Sequence, residues 1–180
     1  MDFHEMTIAG LRRELPLCPI NDKLDIAAFV MFGDVEITVA AARDLLEKAP
    51  EFDIILTPEA KSIPLAYEMS RQSGKPYIVA RKGMKLYMTD PIEVAVKSIT
   101  TANVQHLFIS SEEADRLMGR RVMIVDDVIS TGESLKAVEA LIAKSGGTVA
   151  CKVAVLAEGD AAQRDDIIFL EPLPLFFKED

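Results

Sequence analysis

Two adjacent carboxylates, Asp126 and Asp127, directly follow a run of four apolar residues, 122–125. The run has the β-branched bias of a strand that is buried on both faces. Small polar residues come next, over positions 130–134, and apolar residues then recur at helical spacing from Leu135 to Ile142. The segment therefore predicts a buried strand, an acidic pair, a short loop and the N-terminus of a helix.

This arrangement suits a ligand that carries both phosphate and hydroxyl groups. Ligands of open parallel sheets bind beyond the carboxyl ends of the strands, and the free N–H groups at a helix N-terminus attract phosphate. Two carboxylates beside that loop would repel a bare phosphate, but they suit vicinal hydroxyls or a magnesium ion. A ribose 5-phosphate with free 2- and 3-hydroxyls and a magnesium-bound pyrophosphate carries all of these groups.

The segment resembles the phosphoribosyl pyrophosphate signature of type I phosphoribosyltransferases, in which an acidic pair and a Thr-Gly phosphate loop follow a buried strand. The resemblance implies that Asp126 and Asp127 hold the ribose hydroxyls and, directly or indirectly, the metal. It also implies a substrate-binding loop made of Val128, Ile129, Ser130, Thr131, Gly132, Glu133 and Ser134. Receiver domains also place paired aspartates after a strand, but too few residues follow Asp127 for their strand order. A purely structural strand, turn and helix is the other alternative.

A second candidate segment follows the strand predicted over residues 52–56. The stretch of Glu59, Ala60, Lys61 and Ser62 resembles the Glu-Ala-Arg-Gly segment of adenine phosphoribosyltransferases, with lysine in place of arginine and serine in place of glycine. The resemblance implies that this loop contacts the pyrophosphate of the substrate. The alternative for Lys61 is a solvated lysine at the start of a helix.

Three cations, Arg81, Lys82 and Lys85, surround Gly83 just after another predicted strand. Such a cluster suits a pyrophosphate, although a solvated surface turn is the alternative. It resembles the Arg-Lys-Lys-Gly-Lys-Leu stretch that opens the mobile catalytic loop of adenine phosphoribosyltransferases. We therefore expect residues 81–90 to close over the leaving group. The family continues with Pro-Gly-Glu, which is absent here, so no role is transferred from the glutamate of that loop.

The elements around these segments predict an α/β fold with a mostly parallel twisted sheet and helices on both faces. Strands at 52–56 and 77–80 flank a helix at 63–73, which is a parallel βαβ unit. Alternating residues at 92–100 and 104–110 predict a β-hairpin, and the family resemblance implies that this hairpin carries the mobile loop. His106 lies in this hairpin and is expected to be structural. A short acidic helix at 111–117 and strands at 148–157 and 167–170 complete the core.

The N-terminal part has a less regular pattern. We expect a helix starting within residues 2–14, and a loop over 15–23 because Pro16 and Pro19 interrupt it. Short extended pieces are predicted at 24–31 and 35–37, with a helix as the alternative for the first, and a helix is predicted over 38–49. All of residues 1–180 then form a single domain, with a core at about 50–160. Residues of about 1–40 and the C-terminal tail form a small hood over the base.

Composition limits the setting of the protein. A net charge of −9 and a pI near 4.8 disfavour nonspecific binding to nucleic acid. Two widely separated cysteines, Cys18 and Cys151, and the lack of a long apolar span suggest a reducing, cytoplasmic location without a membrane, with a disulfide as the alternative. Neither His4 nor His106 has the spacing of a metal ligand.

The family resemblance spans about residues 11–176, ending in a Leu-Pro-Leu-Phe tail at 173–176. It implies a purine phosphoribosyltransferase, a pentosyltransferase of purine salvage that transfers phosphoribose to adenine and releases pyrophosphate. It further implies magnesium as cofactor and a homodimer. The alternatives are xanthine or another purine as acceptor, and a regulator that binds phosphoribosyl pyrophosphate without turnover.

Overall fold

The computed structural model describes residues 2–97 and 104–178, which form strands, four α-helices and a 3-10 helix at Gly159–Gln163. The strands are β1 (Phe3–Ile8), β2 (Leu11–Asn21), β3 (Leu24–Ala27), β4 (Ile54–Pro58), β5 (Tyr77–Ala80), β6 (Ile92–Lys97), β7 (Val104–Ile109), β8 (Arg121–Ile129), β9 (Thr148–Glu158), β10 (Ile168–Leu173) and β11 (Leu175–Phe177). The helices are α1 (Val35–Lys48), α2 (Ile63–Ser73), α3 (Ser111–Leu117) and α4 (Glu133–Lys144).

The central sheet has five parallel strands in the order β10-β9-β8-β4-β5. Its middle strand, β8, is apolar on both faces because both faces are covered. Val122 and Ile124 belong to one core, whereas Met123 and Val125 belong to the other. The predicted α/β class with a parallel sheet is confirmed.

Helices cover the two faces of the sheet. On one side, α1 and α2 bury Leu45 and Leu65 against the core that contains Met123. On the other side, α4 buries Leu135 and Leu141 beside Ile124, and α3 adds its apolar residues to the same core. Each helix therefore fixes the angle at which the loop next to it leaves the sheet.

The prediction of a helix starting within residues 2–14 is wrong, because β1 and β2 form a hairpin there. Ile8 pairs with Leu11, so Ala9 and Gly10 alone make the turn, with φ values of +49° and +79°. Two positive φ values are typical of the tight turn that matches the twist of a hairpin. Side chains of β1 alternate between inward and outward positions, as in a strand with one covered face.

The loop predicted over residues 15–23 is also wrong, since β2 continues through both prolines to Asn21. Pro16 has no N–H to donate, but its carbonyl still accepts a hydrogen bond from Ala28 N at 2.9 Å. A register shift between Pro19 and Asn21 accommodates the second proline. The resulting antiparallel sheet has the order β1-β2-β3-β11 and combines the N-terminal strands with the C-terminal tail.

The start of α1 corrects another expectation. Residues 35–37 are helical rather than extended, because the Asp34 carboxylate accepts a hydrogen bond from Ile37 N at 3.1 Å and caps the helix. Arg13 from β2 donates to the same carboxylate at 2.7 Å and ties the antiparallel sheet to the helix. Of the segment 24–31, only the first half is a strand.

The remaining elements lie where they are predicted, although β4 covers Ile54–Pro58 rather than 52–56 and β10 covers Ile168–Leu173 rather than 167–170. Helices α2 and α3 and strand β5 have the predicted bounds, and β6 pairs antiparallel with β7 as a hairpin. The turn predicted between these strands lies outside the described residues. Cys18 and Cys151 are not joined by a disulfide. Within the described residues, the helices are too short or too polar to cross a membrane.

Candidate active site

The acidic pair lies within β8, the middle strand of the sheet, rather than after it. Backbone pairing with β9 continues past both residues, with Asp126 opposite Ala154 and Val128 opposite Leu156. The sheet therefore holds the backbone of the pair, and the two carboxyl groups lie close enough to interact with each other.

Asp127 is a buried carboxylate, with only 6% of its side chain exposed. Its Oδ2 atom lies 3.1 Å from Nζ of Lys61, which comes from the loop after β4. Within residues 2–97 and 104–178, this oxygen makes no aligned hydrogen bond. A buried anion with one nearby cation and an unused acceptor is well suited to a ligand hydroxyl.

Asp126 has a different environment. Burial, reinforced by the negative charge of Asp127, raises the pKa of Asp126 to about 8. Its carboxylate accepts a hydrogen bond from the Asp127 amide at 2.9 Å, and Lys61 opposes the rise without cancelling it. The pair therefore favours a state in which one of the two carboxyl groups keeps its proton as the pH rises.

The predicted phosphate loop connects β8 to α4. Gly132 has φ +79° and precedes the first residue of the helix, so Glu133 and Ser134 already belong to its first turn. A cavity of about 100 Å³ lies in this loop and is lined by Asp126, Val128, Ile129, Ser130, Thr131, Gly132, Ser134 and Leu135. The N-terminus of α4 and this small cavity together suit a phosphate.

Gly132 is constrained by its surroundings as well as by its φ angle. A Cβ atom at this position would lie 2.6 Å from Nη1 of Arg164. Arg164 is held by both oxygens of Asp166, at 2.8 and 2.7 Å. The loop therefore favours glycine here because of its positive φ, and a side chain would in addition have to displace the guanidinium.

The loop after β4 holds Glu59 against the basic cluster. Glu59 accepts hydrogen bonds from Nε of Arg81 at 2.9 Å and from the Lys82 amide at 2.6 Å. Burial raises the pKa of Glu59, but these two hydrogen bonds outweigh burial and leave the pKa below its ordinary value. The Glu59–Ala60 peptide bond is cis.

Ser62 is placed differently from its neighbours in the same loop. Its hydroxyl is buried and lies 2.7 Å from Oγ1 of Thr57 and 3.0 Å from the Pro58 carbonyl, to which it donates. Thr57 in turn donates to the Val125 carbonyl of β8 at 2.8 Å. Ser62 therefore fixes the loop to the sheet, while Lys61 next to it faces the acidic pair.

The segment 81–90 is fixed at both ends and exposed between them. Arg81 exchanges backbone hydrogen bonds with Phe108 of β7, and the Thr89 carbonyl accepts from the amide and hydroxyl of Ser111. Leu86 and Tyr87 in the middle are exposed. In the described part of the chain, neither Lys82 nor Lys85 has an ion-pair partner, so both ammonium groups are available to an anion.

A further cavity of about 250 Å³ lies between the antiparallel sheet and the carboxyl edge of the parallel sheet. It is lined by Ile26, Ala27, Ala28, Phe29, Val30, Lys61, Val128, Ser130, Glu158 and Leu173. Residues 26–30 and Glu158 were not predicted as site residues. Nothing in the sequence shows which residues in and after β3 face the acidic pair. The cavity shares Lys61, Val128 and Ser130 with the site described above.

The donor set limits how a magnesium ion would be held. Among the described residues, no group of three His, Cys, Asp or Glu side chains converges on a point that could hold a metal. Magnesium prefers six oxygen ligands and keeps several waters. Asp126 and Asp127 therefore fit an ion whose remaining ligands come from water and from a bound substrate.

The raised pKa of Asp126 predicts a pH-dependent gain in stability for Asp126→Asn. An unfolded aspartate titrates near pH 4, whereas folded Asp126 titrates near pH 8. Between these values the folded chain retains a proton that the unfolded chain loses, so its stability falls as the pH rises. The stabilisation by asparagine should be small near pH 4, grow toward pH 8 and level off above it. Urea unfolding at several pH values measures this difference.

Asp165→Asn is the matched control, because Asp165 is an exposed carboxylate outside the site. It should change the free energy of unfolding little at any of these pH values. If the effect of Asp126→Asn were equally flat, the carboxyl would be charged throughout the range and the assigned environment would be wrong.

Comparisons with known proteins agree with this geometry. The family model for the phosphoribosyl transferase domain matches residues 35–171. The crystal structure of adenine phosphoribosyltransferase from Thermoanaerobacter pseudethanolicus superposes with a TM-score of 0.74 at 21% identity, covering 88% of this chain and 95% of that one. That likeness supports the fold.

Curated relatives of two specificities match at similar identity. Adenine phosphoribosyltransferase of Kosmotoga olearia is 29% identical over 78% of this chain and 74% of its own length. Hypoxanthine/guanine phosphoribosyltransferase of Methanococcus voltae is 33% identical over 81% of this chain and 72% of its own. Since the family model covers most of the chain and includes every predicted site residue, the chain belongs to the phosphoribosyltransferase family.

Proposed function

We propose that the protein transfers phosphoribose from phosphoribosyl pyrophosphate to a purine, most favourably adenine, and releases pyrophosphate. The observation that carries the proposal is the convergence of three features at one sheet edge. These are the acidic pair, the small cavity of the phosphate loop, and the cations Lys61 and Arg81. Each feature matches one part of this substrate.

The parts of the substrate would bind in a fixed order along the edge. The 5-phosphate sits in the loop of residues 130–134 and accepts hydrogen bonds from the first turn of α4. The ribose hydroxyls donate to Asp126 and Asp127, whose buried oxygen has an unused acceptor position. The pyrophosphate lies toward Lys61 and the basic cluster. The base then enters the cavity of about 250 Å³ under the antiparallel sheet, which acts as the hood.

Substitution at the anomeric carbon develops positive charge on the sugar and negative charge on the leaving group. The chain stabilises both, with the acidic pair near the sugar and the basic cluster near the pyrophosphate. Magnesium supplies charge neutralisation of the pyrophosphate when it is bound. A positioned purine nitrogen is the nucleophile, so no side chain has to form a covalent bond.

Adenine is the first choice of base because of the sequence resemblance and the relative from Kosmotoga olearia. A purine with an oxo group at position 6 is the second candidate, because the Methanococcus voltae relative is named for hypoxanthine and guanine. The unpaired cysteines agree with a cytoplasmic setting.

Asp126→Asn combined with Asp127→Asn should lower kcat by about a hundredfold or more, because it removes acceptors for the ribose hydroxyls and the negative charge of Asp127 near the developing sugar cation. Release of pyrophosphate in the presence of adenine and magnesium measures this. A chelator should abolish the activity of the unchanged protein. Activity of the double variant within a few-fold of the unchanged protein would contradict the site assignment. Binding of phosphoribosyl pyrophosphate with no release for any base would indicate a regulator instead.

Lys82→Ala combined with Lys85→Ala should lower kcat by about tenfold or more and weaken base binding less. Charge-assisted hydrogen bonds to the leaving group are worth about 1.5–3 kcal/mol each. Steady-state kinetics in both substrates separates the two effects, and Lys48→Ala with Lys75→Ala is the control.

Hydrogen exchange of residues 81–90 should slow when a substrate analogue binds. Equal exchange rates in both states would show that this segment does not close.

We also propose a homodimer formed through α1 and α2. Phe32, Val35 and Tyr67 are 55%, 72% and 55% exposed, and Val35 and Tyr67 line an apolar cavity of about 410 Å³ between the two helices. An exposed apolar surface of this kind is typical of a contact between proteins.

Val35→Asp should shift the protein to a monomer in sedimentation equilibrium. Ile20→Asp, which removes an exposed apolar residue on β2, should not. A monomeric unchanged protein would contradict the proposal.

A further inference from the structure

Two arginines, Arg116 and Arg120, line a cavity of about 300 Å³ together with Asp53, Ile54 and Pro76. Ile54 begins β4 and Pro76 directly precedes β5, so this cavity lies at the amino edge of the parallel sheet. The acidic pair lies toward the opposite edge, about 16 Å from the start of β8 at the usual rise of a strand. The cavity is therefore separate from the candidate active site.

The guanidinium groups of Arg116 and Arg120 have no carboxylate partner within residues 2–97 and 104–178. Glu112 lies one helical turn before Arg116, where an ion pair along the helix is possible, but none forms. Every other arginine of the chain forms an ion pair with a carboxylate, namely Arg12, Arg13, Arg43, Arg71, Arg81, Arg121 and Arg164. Both arginines that lack such a partner therefore line the same cavity.

The carboxylate in the lining is already paired with a different arginine. Asp53 accepts hydrogen bonds from the amide, Nε and Nη2 of Arg121 at 2.8, 3.1 and 2.9 Å. These bonds hold the pKa of Asp53 well below its usual range, and the nearby charge of Arg120 acts in the same direction. Although the chain has a net charge of −9, the cavity thus has a local excess of positive charge.

The backbone that carries the two arginines is fixed without a ligand. Arg116 lies in the last turn of α3, and a capping box closes the first turn of this helix. The Arg120 amide donates to the Leu117 carbonyl at 3.0 Å, and the Arg120 carbonyl accepts from the Thr148 amide at 2.9 Å. Only the two side chains have to be ordered on binding, which lowers the entropic cost.

A guanidinium group presents its N–H groups as a planar fork that matches two oxygens of one phosphate group. Two such forks, one from α3 and one from the segment before β8, suit two linked phosphate groups better than one. A volume of about 300 Å³ is at the lower end of small-molecule sites. Such a cavity holds a diphosphate and leaves an attached nucleoside largely outside.

We propose that this cavity at the amino edge is a second ligand site, which binds the diphosphate group of free pyrophosphate or of a nucleoside diphosphate through Arg116 and Arg120. The inference goes beyond the proposed function and does not depend on it, because the two sites share no residue.

The test measures binding of pyrophosphate, ADP and AMP by calorimetry. A chelator is present, because the site at the carboxyl edge is proposed to bind pyrophosphate with magnesium. Arg116→Gln combined with Arg120→Gln should weaken binding of pyrophosphate and ADP by about a hundredfold or more, since charge-assisted hydrogen bonds are lost. Arg12→Gln combined with Arg43→Gln removes the same charge from exposed arginines elsewhere and should change the affinities little. Thermal unfolding of each variant checks that the fold is retained.

Equal affinities of the unchanged protein and the folded Arg116→Gln, Arg120→Gln variant would overturn the inference, as would no binding of pyrophosphate or ADP to the unchanged protein. AMP binding as tight as that of ADP, and lost in the same variant, would also overturn it, because one phosphate group would then suffice. A loss of pyrophosphate binding only in Lys82→Ala with Lys85→Ala would place the anion at the carboxyl edge instead.

The ratio of the pyrophosphate and ADP affinities distinguishes the two sources of the diphosphate group. Binding of ADP that is equal to or weaker than that of pyrophosphate would support recognition of the free anion. Tighter binding of ADP would support a nucleoside diphosphate whose nucleoside also contacts the protein. In both cases the affinity should fall as the salt concentration rises, because the arginines are exposed.

Discussion

Two consecutive carboxylates at the edge of a buried strand repel each other, and the structure has to compensate for this repulsion. Asp127 is buried within 3.1 Å of one ammonium group, that of Lys61. Burial and the charge of Asp127 raise the pKa of Asp126, and Lys61 offsets this rise only in part. Burying such a pair lowers the free energy of unfolding. A ligand that brings hydroxyl donors and a cation to the same place would relieve this cost, which links the stability of the pair to the proposed binding function.

The rest of the fold keeps this pair in position. Strands on both sides of β8 fix its backbone, and Thr57 and Ser62 attach the loop that carries Lys61 to the same strand. Arg164 packs against Gly132, where a larger residue would have to displace its guanidinium. The basic cluster proposed to face the leaving group is held by other contacts. Arg81 pairs with Glu59 and exchanges backbone hydrogen bonds with β7. Opposite charges therefore lie on the two sides of the position proposed for the sugar.

The sequence was informative wherever one local pattern decided the structure. The apolar run before Asp126 and the helical spacing after Ser134 predicted β8 and α4, and Gly74 marked the end of α2. Prediction from the sequence failed in residues 2–37, because the turn at Ala9 and Gly10 has no strong sequence signature. Long-range pairing with the C-terminal tail stabilises that sheet. Glu158 was missed for the same reason, since only the pairing of β9 and β10 brings it to the cavity.

The most direct test of the account is a crystal structure with magnesium and an unreactive analogue of phosphoribosyl pyrophosphate. The account predicts that the ribose hydroxyls lie within hydrogen-bonding distance of Asp126 and Asp127. It also predicts that the 5-phosphate occupies the loop of residues 130–134 and that Lys61 faces the pyrophosphate. An analogue bound elsewhere, with the acidic pair free of ligand and Asp127 still paired only with Lys61, would contradict it.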